Sequence, residues 1–135
     1  MDQPIGEKPV SGKAFPPGLI IVAALMIVFG LAEVMTGITH QFFGLTTVQA
    51  DTSTYLGVAL GLFYLAGGIL ILTKKRWAAI TAIVLLGADV AGRIVMVAFG
   101  FYPINTFRQS FGIIVGTAIA VFFAVYVGLR LKSFQ

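Results

Sequence analysis

Two ionisable residues four positions apart, Asp89 and Arg93, interrupt an apolar run that extends from Ala78 to Phe101. On a helix that spacing puts both side chains on one face, with the acid N-terminal, the better order for an ion pair. The run is long enough to cross a hydrocarbon layer at about 1.5 Å per residue. A charge near its centre costs from about 3 to more than 10 kcal/mol unless it is paired or wetted. Glu33 lies in a second such run, Gly18 to Ile38, at a depth similar to that of Arg93. Arg93 is about 12 Å short of the outer end of its helix, a stretch for one snorkelling side chain. The economical arrangement turns Arg93 inward, bridged to Asp89 on its own helix and to Glu33 on a neighbour. Such a cluster carries one surplus negative charge, which suits a proton, a cation or an oriented polar ligand.

The competing reading is an ion-pair lock that fixes helix register and transports nothing. Tyr64, near the middle of the run Tyr55 to Thr73, is a candidate hydrogen-bond donor into the same site, or else a packed aromatic. His40 is the single histidine, seven residues beyond Glu33 and on its face. It reads as a pH-sensing entrance or as a solvated interface residue. One histidine without cysteine argues against a structural zinc site, and no cofactor is implied. No phosphate loop, nucleotide fingerprint or Ser/His catalytic arrangement occurs, so a membrane-embedded enzyme lacks a nucleophile.

The elements that must position these residues follow from composition. Of 135 residues, 59% are hydrophobic and only 10% charged, which places the chain among membrane proteins as one compact unit. The absence of cysteine excludes disulfides and thiolate chemistry. Four spans are expected, at about 18–38, 55–73, 78–101 and 109–131, in an all-α, antiparallel up-down bundle. Residues 1–17 read as a disordered cytoplasmic segment and 132–135 as a cytoplasmic tail. Asp51, Ser53 and Thr54 are N-cap candidates for the second span, and Thr106 to Gln109 fits a capping box before the fourth. Pro103 is expected to stop the third. The connection 39–54 reads either as an extension of the first helix or as an interfacial segment.

Lys8, Lys13, Lys74, Lys75, Arg76, Arg130 and Lys132 flank one side, against Arg108 alone on the other. That asymmetry predicts a plasma-membrane protein with both termini cytoplasmic, and a topology signal in place of a nucleic-acid surface. Trp77 on the inner side, with Phe42, Phe43, Tyr55 and Tyr102 on the outer, form expected interfacial belts.

Small residues recur at every fourth position of the last span: Gly112, Gly116, Ala120, Ala124 and Gly128. With Gly57, Gly61, Gly67 and Gly68 on the second span, they offer smooth surfaces for helix contact, within the chain or in a homo-oligomer or membrane-protein complex. Ala32-Glu33-Val34 recurs as Ala88-Asp89-Val90, 56 residues on, and Gly57 with Gly61 recurs as Gly112 with Gly116, 55 residues on. The echo is either a parallel hairpin repeat, with Glu33 and Asp89 equivalent, or coincidence among a few residue types.

Leu31-Ala32-Glu33-Val34 resembles the first-helix signature of small multidrug-resistance transporters. The resemblance implies a proton-coupling role for Glu33. The segment from Gly57 to Pro103 resembles DoxX-like four-helix membrane proteins through its glycine-rich second span, short basic turn, Gly92-Arg93 pair and Gly100-Phe101-Tyr102-Pro103. That resemblance covers about a third of the chain and implies the four-helix architecture. Two functions are therefore expected from different classes. One is a small proton- or cation-coupled transporter or channel-like protein; the other is a non-catalytic assembly or accessory subunit whose charges lock the fold.

Overall fold

Leu, Ile, Val, Ala and Phe fill four stretches that contain no proline beyond the first turn, so nothing interrupts the i to i−4 hydrogen bonds. The computed structural model describes residues 14–42, 45–46, 51–100, 104–105 and 107–135, with backbone alone for 41–42, 45–46, 51–53 and 108–109. Within them lie helices α1 (Pro17–Thr39), α2 (Asp51–Leu72), α3 (Arg76–Ala98) and α4 (Phe107–Leu129), and a 3-10 turn over Leu131–Ser133. Each α-helix contains a segment long and apolar enough to cross a membrane. Their outward faces carry large apolar side chains such as Val28, Met35, Val84, Ile94, Phe111 and Phe122. Apolar surface of that extent marks faces covered by lipid or by another protein.

Several boundaries differ from expectation. Helix α2 begins at Asp51, so Asp51, Ser53 and Thr54 lie inside its first turn and not before it. Acidic and hydroxyl residues suit that turn, where backbone N–H groups have no intrahelical acceptor. Helix α3 runs from Arg76 to Ala98, displaced from 78–101. It ends because Gly100 takes φ +76°, a left-handed conformation that glycine adopts without penalty, and its N–H bonds Val97 O at 3.2 Å. Helix α4 starts at Phe107 and gives way to the 3-10 turn after Leu129. Helix α1 gains one residue at each end, since Pro17 fits a first helical turn. The 39–54 connection does not continue helix α1 beyond Thr39. His40 follows, left-handed at φ 57°, and Gln41–Phe42 pairs antiparallel with Leu45–Thr46. Residues 1–13, Phe43, Tyr102, Pro103 and Thr106, with the side chains of Phe42, Arg108 and Gln109, fall outside the described residues. Trp77 and Tyr55 are both well exposed.

Helices consecutive in sequence pack side by side, α1 on α2, α2 on α3, and α3 on α4. The first of these interfaces is backbone against backbone. A Cβ added at Gly37 would meet Val58 N at 2.8 Å, one at Gly61 would meet Gly30 O at 2.7 Å, and one at Gly68 would meet Ala23 O at 2.7 Å. Contacts thus descend α1 as they ascend α2, and the two chains approach as closely as glycine allows. Buried Ala23, Ala79, Ala82 and Ala120 continue the small-residue theme into a core completed by Leu19, Met26, Ile71, Leu86, Phe123 and Val127. Intrahelical bonds from Thr36 Oγ1 to Ala32 O (2.8 Å) and from Thr117 Oγ1 to Ile113 O (2.8 Å) satisfy these partly buried hydroxyls.

Residues 131–135 form no free tail. Gln135 N–H bonds Lys74 O at 2.9 Å, and Arg76 N–H bonds Gln135 O at 2.6 Å. Phe134 is buried and meets the ring of Phe15 edge-on at 5.4 Å, while Lys74 Nζ lies 5.5 Å from that ring's centre. The segment before α1, the α2–α3 turn and the chain after α4 are therefore clasped together at one end of the protein.

Candidate functional site

The only ionic contacts among the described residues converge on Arg93, on the penultimate turn of α3. One turn earlier on the same helix, Asp89 accepts from Arg93 Nε through Oδ2 at 2.9 Å. From α1, Glu33 Oε1 meets Arg93 Nη2. Beneath the guanidinium lies Tyr64 of α2, its ring centre 6.0 Å from Arg93 Cζ, a cation–π distance. Tyr64 is buried and set edge-on to Phe123 of α4, ring centres 6.4 Å apart. All four helices thus meet around the guanidinium.

The local sequence explains this geometry. Asp89 and Arg93 share a face because they are separated by one turn of helix. Glu33 reaches them because Gly30 and Gly37 draw α1 tightly onto α2, which in turn contacts α3. Space for the guanidinium comes from α4: a Cβ at Gly116 would stand 2.8 Å from Arg93 Nη1. Gly116 read as packing surface in the sequence; its partner is the charge itself. Gly116→Val is therefore expected to displace Arg93 and cost about 1–3 kcal/mol of overpacking, read from a denaturation titration in mixed micelles.

The electrostatics are uneven. Asp89 is fully buried, whereas the side chains of Arg93 and Glu33 retain 14% and 21% exposure. Asp89 Oδ1 is buried and has no hydrogen-bond partner among the described residues. Native proteins rarely leave such an atom unmatched, because desolvating it without a partner costs about 1–3 kcal/mol. Two carboxylates and one guanidinium leave a formal charge of −1. No group of three or more His, Cys, Asp and Glu suited to a metal ion occurs among the described residues.

The structure thus brings Glu33, Asp89, Arg93 and Tyr64 together. His40 it places at the end of α1, where its N–H bonds Thr36 O at 2.7 Å and its Nε2 shares a 3.0 Å hydrogen bond with Thr54 Oγ1 on α2. Among the packing residues, Gly57 and Gly61 meet α1, while Gly116 and Gly128 face α3. Ala120 is buried and Ala124 packs against the core. Gly61 and Gly116, equivalent in the suspected repeat, each abut the acid-bearing helix of their own hairpin. Sequence reasoning missed Gly30 and Gly37, whose spacing of seven was a usable signal. It also missed an open apolar groove of about 430 Å³ between α1 and α4, lined by Leu25, Phe29, Ile119, Phe122 and Phe123 among others. Phe29, in its lining, precedes Glu33 by one turn of α1.

Comparisons with protein-family models, with curated proteins and with solved structures each return no match. The functional reading therefore rests on the site.

Proposed function

We propose that this chain is a small integral membrane protein of the plasma membrane that moves protons or cations through the Glu33–Arg93–Asp89 cluster. In this reading the four helices cross as an antiparallel up-down bundle, and the end bearing Lys74, Lys75, Arg76, Arg130 and Lys132 faces the cytoplasm. The single observation that carries it is the buried Asp89 Oδ1, without a hydrogen-bond partner among the described residues, in a cluster of net charge −1. A structural lock needs one acid for one base. Here a second carboxylate competes for the same guanidinium, and a proton or cation at Asp89 neutralises the surplus. Binding there weakens the hold of Asp89 on Arg93 and strengthens that of Glu33, which couples site occupancy to the α1–α3 relation. Partly exposed Glu33 is the exchange partner on the more accessible side. Surrounding lipid covers the apolar faces, and the small-residue surfaces allow a homo-oligomer. The resemblance of Gly57–Pro103 to DoxX-like proteins supports that architecture.

Proteoliposomes loaded with a pH-sensitive dye and energised by a potassium diffusion potential test the reading. The unaltered protein is expected to carry a pH-dependent proton flux above that of empty vesicles, and Glu33→Gln and Asp89→Asn are each expected to abolish it. A Glu33→Gln protein with unchanged flux and unchanged pH dependence would remove the assigned role. No flux from the unaltered protein, with a stoichiometric membrane partner on purification, would favour the accessory-subunit reading instead.

A further inference from the structure

The clasp does more than tie down the chain. In the sequence, Lys74-Lys75-Arg76 and Arg130 with Lys132 are separate basic runs, more than fifty residues apart. The paired hydrogen bonds of Gln135 with Lys74 and Arg76 bring the second run against the first at one end of the bundle. All five side chains are exposed. The two acids that form ion pairs among the described residues, Glu33 and Asp89, both bind Arg93, so neither compensates this patch. Lys74 and Arg130 are braced by aromatic faces, Lys74 over Phe15 and Arg130 over Tyr126 with its Cζ 5.6 Å from the ring centre. Trp77, also exposed, lies in the first turn of α3 beside them, at the level where tryptophan meets lipid headgroups.

Five exposed cations gathered at one end of an apolar bundle favour anions there. The source that is always present there is the phosphate of a surrounding lipid. We propose that Lys74, Lys75, Arg76, Arg130 and Lys132 form a binding site for the headgroup of an anionic phospholipid, assembled by the Gln135 clasp. The inference needs the protein to sit in a bilayer. It does not need the protein to transport anything, so a silent flux assay leaves it standing.

Trp77 is the chain's one tryptophan, and it reports on this patch directly. The full chain is reconstituted in phosphatidylcholine vesicles containing increasing fractions of brominated phosphatidylglycerol or, in parallel, brominated phosphatidylcholine. Quenching of Trp77 is expected to saturate at a lower fraction of the anionic lipid. Each cation near the surface contributes about five-fold in affinity, so Arg130→Gln with Lys132→Gln is expected to weaken the anionic preference about twenty-five-fold. Gln135→Pro keeps all five charges and removes the N–H that bonds Lys74 O; it is expected to lose much of the same preference. Equal quenching by the two lipids would overturn the site. A Gln135→Pro protein with full preference would overturn the role of the clasp. A shift of Trp77 emission on adding inorganic phosphate to plain phosphatidylcholine vesicles would assign the patch to free phosphate and overturn the lipid assignment.

Discussion

Arg93→Leu is expected to lower the unfolding free energy by about 3–5 kcal/mol, among the largest single-residue effects in the chain, because it strands buried charge without its partner. The loss is not that of two exposed ion pairs, each worth about 0–1 kcal/mol. Asp89 is fully buried and Glu33 keeps 21% of its side chain exposed, so losing the guanidinium strands Asp89 above all. The expected rescue sets this apart from a general packing defect. In a Glu33→Gln/Asp89→Asn background the same Arg93→Leu change is expected to cost far less, since no stranded carboxylate remains. The Glu33→Gln/Asp89→Asn protein itself is expected to stay folded. Unfolding in mixed micelles, followed by helical circular dichroism across this cycle, reads both effects. An Arg93→Leu penalty that is unchanged in the neutralised background would mean that the guanidinium acts through its volume and not its charge.

Gly61→Val is expected to be comparably damaging for a different reason. Its Cβ would stand 2.7 Å from Gly30 O, from Val34 N and from Val34 Cγ2. Two of those three atoms are helix backbone and cannot rotate away, so α1 and α2 must separate. Overpacking typically costs about 1–3 kcal/mol, and a backbone obstacle puts this case at the upper end. The separation also carries Glu33 away from Arg93, so loss of stability and loss of flux should occur together. Gly87→Ala is the control. Nothing lies within 4 Å of its added Cβ, and alanine favours a helix by about 1 kcal/mol over glycine. It should be neutral or stabilising in the same titration. A Gly61→Val protein as stable as the Gly87→Ala protein would mean that the α1–α2 contact is looser than its backbone distances indicate.

The two glycines also show where reading the chain alone stops. Both sit in apolar runs, and nothing in their immediate neighbours separates them. Gly61 stands out by its four-residue spacing from Gly57, whereas Gly30 and Gly37, which Gly61 and Gly57 face, have no small residue at that spacing to single them out as a pair. The ionic cluster was more legible. Asp89 and Arg93 announce a shared face by their spacing, and the cost of isolated charge in hydrocarbon leaves few places for Glu33 to go. The role of Gly116 as the opening for Arg93 had no sequence signal, because a stripe of small residues fits a helix backbone or a guanidinium equally well.

The sequence by itself determined that four helices form, roughly where they end, and that three ionisable residues lie deep within them. Length, hydropathy and the price of a buried charge act locally or at fixed depth, so they can be read along one dimension. Tertiary structure alone decided which face of each helix turns inward, the close approach of α1 to α2, the groove between α1 and α4, and the clasp that joins two basic runs. The physical reason is that these helices are apolar all round. Core and hydrocarbon solvate Leu and Ile alike, so orientation depends on shape and on a few polar contacts, which exist only once the helices have met.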